Sequence, residues 1–196
     1  MSGFLAQSAV ILVEVWMIGQ LGTEPLAAIA LVFPLLILLL TFSGGAVGGA
    51  ISSSVARYLG AGNRDRAIKA AMVGAGLAAA IGAGIGLPLA LGPMAWIPLF
   101  ASNADVASMT TTYIQYAGPC YAFLAVGLVL YFAAQGAGRM RWPVIATFVR
   151  FSVAVGGAYV WVTQGGGFEA IIMMAAAGIV LYGSIIALSL KLGAWR

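Results

Sequence analysis

Five of the 196 residues are acidic, and one of them, Glu14, stands where a carboxylate is costly. Val10, Ile11, Leu12 and Val13 precede it and Val15 follows. A central acid costs about 2.5 to 3.5 kcal/mol on insertion scales, and desolvation favours its neutral form. Such a group can take up a proton from one side of a membrane and release it to the other, or alternate between a proton and a cation. It can also be a neutral acid hydrogen-bonded to a neighbouring helix. An intramembrane ionisable residue is nonetheless a site hypothesis by default, so Glu14 is the expected coupling residue. Gln7, Ser8, Pro34, Gln115, Tyr116, Tyr121, Tyr131 and Gln135 are weaker candidates for the lining of a wet cavity. Tyrosine faces there would attract organic cations, although Tyr116 and Tyr131 serve equally well as interface anchors. Glu24, Asp105 and Glu169 are read as rim residues, and Asp65, between Arg64 and Arg66, as half of a solvated ion pair.

Other chemistry is poorly supplied. There is no histidine, hence no Ser-His pair and no HExxH zinc motif. The single cysteine, Cys120, excludes an internal disulfide and a Cys/His metal cluster. An intramembrane aspartyl protease would want two acids, and Glu14 has no second acid in its span. Gly-Ala-Gly at 60–62 and again at 136–138 is too short for a nucleotide loop, and no Gly-Lys-Ser/Thr follows. Neither an enzyme, a bound cofactor, a metal site nor a nucleic-acid partner is expected.

The elements that hold Glu14 follow from composition. Hydrophobic residues make up 63% of the chain and charged ones 7%, whereas a soluble domain is about a quarter charged. Twenty-seven glycines also suit membrane helices. Spans of about 20 apolar residues are expected at Phe4–Gln20, Leu26–Val55, Ile68–Leu91, Thr112–Gln135, Pro143–Val162 and Glu169–Leu190. This predicts an all-α membrane protein, a bundle of about six transmembrane helices forming one domain over 1–196. The proline-rich stretch at Pro88, Pro93 and Pro98 is expected to break up the outer end of the third span.

Charge orients the bundle. Arg57, Arg64, Arg66 and Lys69 surround the second link, Arg139, Arg141 and Arg150 the fourth, and Lys191 and Arg196 follow the last span; these are all nine basic residues. Basic links stay in the cytoplasm, so both termini are expected there, in the inner (plasma) membrane. The net charge of +4 then reflects orientation. Met1 to Gln7 carry no basic residue of the kind that opens a signal peptide. The chain begins almost inside its first span, as it would had a preceding piece been lost.

Gly44, Gly45, Gly48 and Gly49 form two overlapping small-xxx-small pairs, which let helix backbones approach closely. With Pro34 and Pro119, which each remove a helix hydrogen bond, they are also candidate hinges.

Several runs together resemble a known family. Glu14-Val-Trp-Met-Ile-Gly-Gln-Leu-Gly22, then Leu26-Ala-Ala28 and Pro34, look like the first two helices of multidrug and toxic compound extrusion (MATE) transporters. Val55 to Asn63 resembles that family's link after its second helix, and Tyr131 to Arg139 with Trp142-Pro143 its link after a fourth. The resemblance implies one six-helix lobe of a two-lobe antiporter that exchanges organic cations or other amphipathic compounds for protons or sodium. It also implies that Glu14 occupies the place of the family's first-helix acid, more often aspartate. Alternating access needs two lobes, so a homodimer or a second lobe is the expected partner, along with membrane lipid and a small substrate. A lone structural lobe and a lipid or lipid-linked sugar flippase are the alternatives; a flippase groove would want basic residues away from the links.

Overall fold

The computed structural model describes residues 2–191, with side chains described from 11 to 190. Among the described residues all regular structure is helical: α1 (Ser2–Gly19), α2 (Thr23–Gly60), α3 (Arg64–Leu91), α4 (Ala104–Ala117), α5 (Tyr121–Gly136), α6 (Arg141–Thr163) and α7 (Phe168–Lys191). Two single 3₁₀ turns, Pro93–Ala95 and Ile97–Leu99, join α3 to α4. Four of these helices are long and apolar enough to cross a membrane, and the bent pair α4–α5 makes a fifth span. α1, eighteen residues long, packs against α2, α6 and α7, so each expected span has a helical counterpart.

One boundary is corrected. The fourth span starts at Ala104 rather than Thr112, and it bends by 55° between Ala117 and Tyr121, with Pro119, a candidate hinge, inside the break. The third helix ends at Leu91 as expected and runs through Pro88 without a break, while Pro93 and Pro98 lie in the 3₁₀ turns that follow. A proline loses only its own N–H bond, and three further residues fit before the chain turns at Gly92.

Helix ends explain two asparagines and four of the five acids. Asn63 and Asn103 accept backbone N–H bonds from Arg66 and Asp105 at the starts of α3 and α4, as N-caps do. Glu24, Asp65, Asp105 and Glu169 each sit in the first turn of a helix, where a negative charge offsets the helix dipole. Of the five acids, Glu14 alone lies deep in a helix.

The repeated Gly-Ala-Gly is a pair of identical helix stops. The N–H groups of Gly62 and Asn63 bond Leu59 and Tyr58 carbonyls, and those of Gly138 and Arg139 bond Gln135 and Ala134 carbonyls. Both are Schellman closures, with Gly62 at φ 72° and Gly138 at φ 66°. Left-handed backbone costs other residues roughly 1–2 kcal/mol. Gly62→Ala should therefore lower stability by about 1 kcal/mol without touching the site; a melting midpoint equal to the native protein's would contradict this.

Packing runs through small residues. α5 is central, lying against α2, α3 and α7. The buried set is rich in alanine, while Leu12, Trp16, Leu77, Leu91 and Phe148 point outward, as a lipid-facing surface requires. The two glycine pairs of α2 divide: Gly44 and Gly48 are buried against the Phe132 ring, whereas Gly45 and Gly49 face open space. All four lie in or beside a wide, π-type stretch at Thr41–Gly48, and a second such stretch, Ser152–Gly157, interrupts α6.

Candidate functional site

Four helices bring an apolar stripe to one point. Ile11, Glu14, Val15 and Ile18 share one face of α1, and Ile172, Ala175, Ala176 and Ile179 repeat the same spacing on α7. α2 contributes Ile29, Phe33 and Leu36, and α4 contributes Tyr113 and Ala117. Residues three, four and seven apart align on a helix, so these faces line a cavity of about 50 Å³. Into it α6 sends a single residue, Arg150.

Arg150 corrects the reading of the basic residues. It does not flank the link at Arg139 and Arg141. It is nine residues beyond the start of α6, about 14 Å along the axis at 1.5 Å per residue, or half of a hydrocarbon core of about 30 Å. Its side chain is only 3% exposed. Glu14 thus faces a cation, and one basic residue lies away from the links, where the flippase alternative would want several.

The charges are close but not joined. Arg150 and Glu14 act electrostatically on one another and on Tyr113. Yet Glu14 Oε1 and Arg150 Nε and Nη1 are buried without a hydrogen-bond partner among the described residues. The guanidinium is held from behind, its Cζ 5.7 Å from the centre of the Tyr182 ring on α7, within cation–π range. Tyr182 in turn lies against Gly127 of α5, where a side chain would meet its ring. α7 comes close to α6 at Gly178, whose added Cβ would stand 3.1 Å from the Arg150 carbonyl.

The other expected site residues are elsewhere. Pro34 and Gln115 are exposed. Tyr116 Oη donates to Glu169 Oε1 at 2.5 Å, tying α4 to the start of α7. Tyr121 is completely buried in the bundle core, within electrostatic reach of Tyr113 but outside the cavity lining. Tyr131 belongs to a separate cluster with Val55, Ala146 and Tyr182. Gln7 and Ser8 lie on α1, and their side chains fall outside the described residues. Sequence reasoning passed over Tyr113, although its four-residue spacing from Ala117 matched the stripe; Arg150 was hidden by its neighbours in the count of basic links.

A cavity of about 50 Å³ accommodates a few waters or a single small ion. Drug-sized ligands need about 300–1,000 Å³. The arrangement can therefore hold and release a proton at Glu14 beside a fixed positive charge, and does not enclose an organic substrate.

The fold has known counterparts. The structure of the MATE transporter ClbM in complex with Rb+ is 19% identical and matches with a TM-score of 0.89 over 100% of this chain and 46% of its own. An outward-facing multidrug resistance MATE family transporter of the MOP superfamily is 19% identical, with a TM-score of 0.85 over 98% of this chain and 43% of its own. The Vibrio cholerae MATE transporter VcmN in its bent form is 20% identical, with a TM-score of 0.84 over 99% of this chain and 44% of its own. The chain thus spans less than half the length of these structures, and at such identities the likeness is one of fold. No curated protein matches it significantly. The MatE family model matches residues 1–160, and with four-fifths of its length covered the chain belongs to that family of membrane transporters.

Proposed function

We propose that this chain is one lobe of an exporter that moves organic cations or other amphipathic compounds out of the cell in exchange for protons. In this reading it sits in the inner (plasma) membrane with both termini in the cytoplasm. The observation that carries the reading is Glu14, the one acid of the described helices away from a first turn, lining a small cavity with Arg150. A proton suits this cavity better than sodium. The proton joins the carboxyl group and leaves a neutral acid, whereas a metal cation would need several oxygens and would be repelled by Arg150.

The small cavity belongs to the coupling ion, and the substrate path lies between this lobe and a second. Inverted or repeated lobes rocking about a midplane site give alternating access. The chain's span of under half of each solved structure supports a partner lobe, and a second copy of the chain is the simplest one. The test is the lipid-corrected mass of the purified protein in nanodiscs, followed by dye export from proteoliposomes under a proton gradient. A dimer that exports dye is the expected result. A monomer that exports nothing would leave the chain as a structural lobe or one that works only with a different partner.

A further inference from the structure

The charge at Arg150 is not fully answered by its neighbours. Two of its donor atoms, Nε and Nη1, are buried without partners, and so is Glu14 Oε1 across the same cavity. Buried polar atoms are almost always hydrogen-bonded, and an arginine inside a membrane pairs with an acid, a carbonyl or a bound species. The Tyr182 ring covers the guanidinium from behind but accepts no hydrogen bond from these atoms. The cavity that both charged groups line, about 50 Å³, is the size of a monatomic ion with water, well below that of an organic ligand.

The groups facing this space are few. α4 supplies Tyr113 and α6 supplies Arg150, while the lining residues of α2 and α7 carry no ionisable side chain. Tyr182 stacks behind Arg150, and Tyr121 stands behind Tyr113. The balance therefore depends on Glu14. Ionised, it neutralises Arg150 across the cavity. Protonated, it leaves a cation in apolar surroundings with two unpartnered donor nitrogens, Nε and Nη1, and, nearby, the Tyr113 hydroxyl. An anion entering then restores neutrality and fills the donors, in the charge-assisted geometry that guanidinium groups favour.

We infer that the cavity between Glu14 and Arg150 is a binding site for one small monovalent anion, filled when Glu14 is protonated and emptied when it ionises. A halide and the carboxylate of a small acid share the necessary chemistry. The inference deepens the reading of Glu14 as the proton-carrying residue and rests on it. It does not depend on export or on a second lobe, so binding is measured without transport and the two readings can fail separately.

The experiment uses the full chain in lipid nanodiscs at constant ionic strength, with gluconate replaced by chloride, bromide or acetate. Chloride-35 line broadening and the melting midpoint report binding. Chloride and bromide are expected to bind at acid pH, with affinity falling about tenfold per pH unit once Glu14 ionises, since one proton is linked to one anion. Acetate that displaces chloride would extend the site to carboxylates, and acetate without effect would restrict it to halides. Glu14→Gln should bind chloride with no dependence on pH, and Arg150→Gln should lose binding. If Arg150→Gln does not fold, Glu14→Gln still decides. Chloride affinity that is the same at every pH in the native protein, or no chloride binding in either the native protein or Glu14→Gln, overturns the inference.

Discussion

Glu14→Gln is expected to reduce proton-driven dye export to the background of empty liposomes while the protein still elutes as a single folded species. Glutamine keeps the size and hydrogen-bonding reach of the acid but cannot ionise, so it stays in the equivalent of the protonated state. The coupling step needs both states. Its surroundings make the loss hard to replace: the other four acids are spent in first turns of helices, and no other carboxylate lines the cavity among the described residues. The pH dependence should follow the same logic. In the proposed exchange Glu14 is protonated on the acidic side and ionised on the other, so collapsing the proton gradient should stop export. The mutant should show no response to the gradient at any pH. Coupled export by Glu14→Gln at the native rate would remove Glu14 from the mechanism, whatever the oligomeric state.

The second large effect concerns the backbone contact that shapes the site from below. At Gly86 of α3 an added Cβ would run into the carbonyl oxygen of Gly118, inside the bend between α4 and α5. One turn earlier, a Cβ on Gly82 would stand 2.6 Å from the Tyr121 carbonyl oxygen. Backbone atoms cannot rotate aside as a side chain does, so the helices would have to separate. Overpacking costs about 1–3 kcal/mol, and we expect Gly86→Ala at the upper end of that range. Gly84, two residues away, faces open space. Its replacement by alanine should be neutral or stabilising by up to about 1 kcal/mol, because glycine is a poor helix former. Melting of the two variants side by side in the same detergent checks this, and equal midpoints would show that the close approach contributes nothing. Gly86→Ala should also weaken proton coupling, because the bend at Gly118 sets where Tyr113 and Ala117 meet the cavity.

How much of this was legible beforehand varies with the range of the interaction involved. Hydropathy placed a helical segment at each expected span because a membrane span is a local requirement, met by about twenty consecutive residues whatever their neighbours do. The Gly-Ala-Gly stops were visible as a repeated pattern for the same reason. Each closes its own helix through bonds that reach no further than five residues, Asn63 to Tyr58 and Arg139 to Ala134. Glu14 was legible from its apolar neighbours alone.

The tertiary structure decided what Glu14 faces. Counting basic residues by link put Arg150 with Arg139 and Arg141, because a charge count along the chain does not register how far a helix carries a residue into the membrane. Nor could the sequence say that Tyr116 would pair with Glu169, 53 residues away, while Tyr113, one turn earlier, would reach the cavity. Sequence by itself determined that this chain crosses a membrane as helices and that one of them carries a carboxyl group there. Only packing determined that the carboxyl group meets a guanidinium across a cavity of about 50 Å³. Helix formation is satisfied within each segment, whereas the meeting of two charges depends on how segments far apart in the chain rotate and approach, which here is governed by glycines whose missing side chains let the backbones touch.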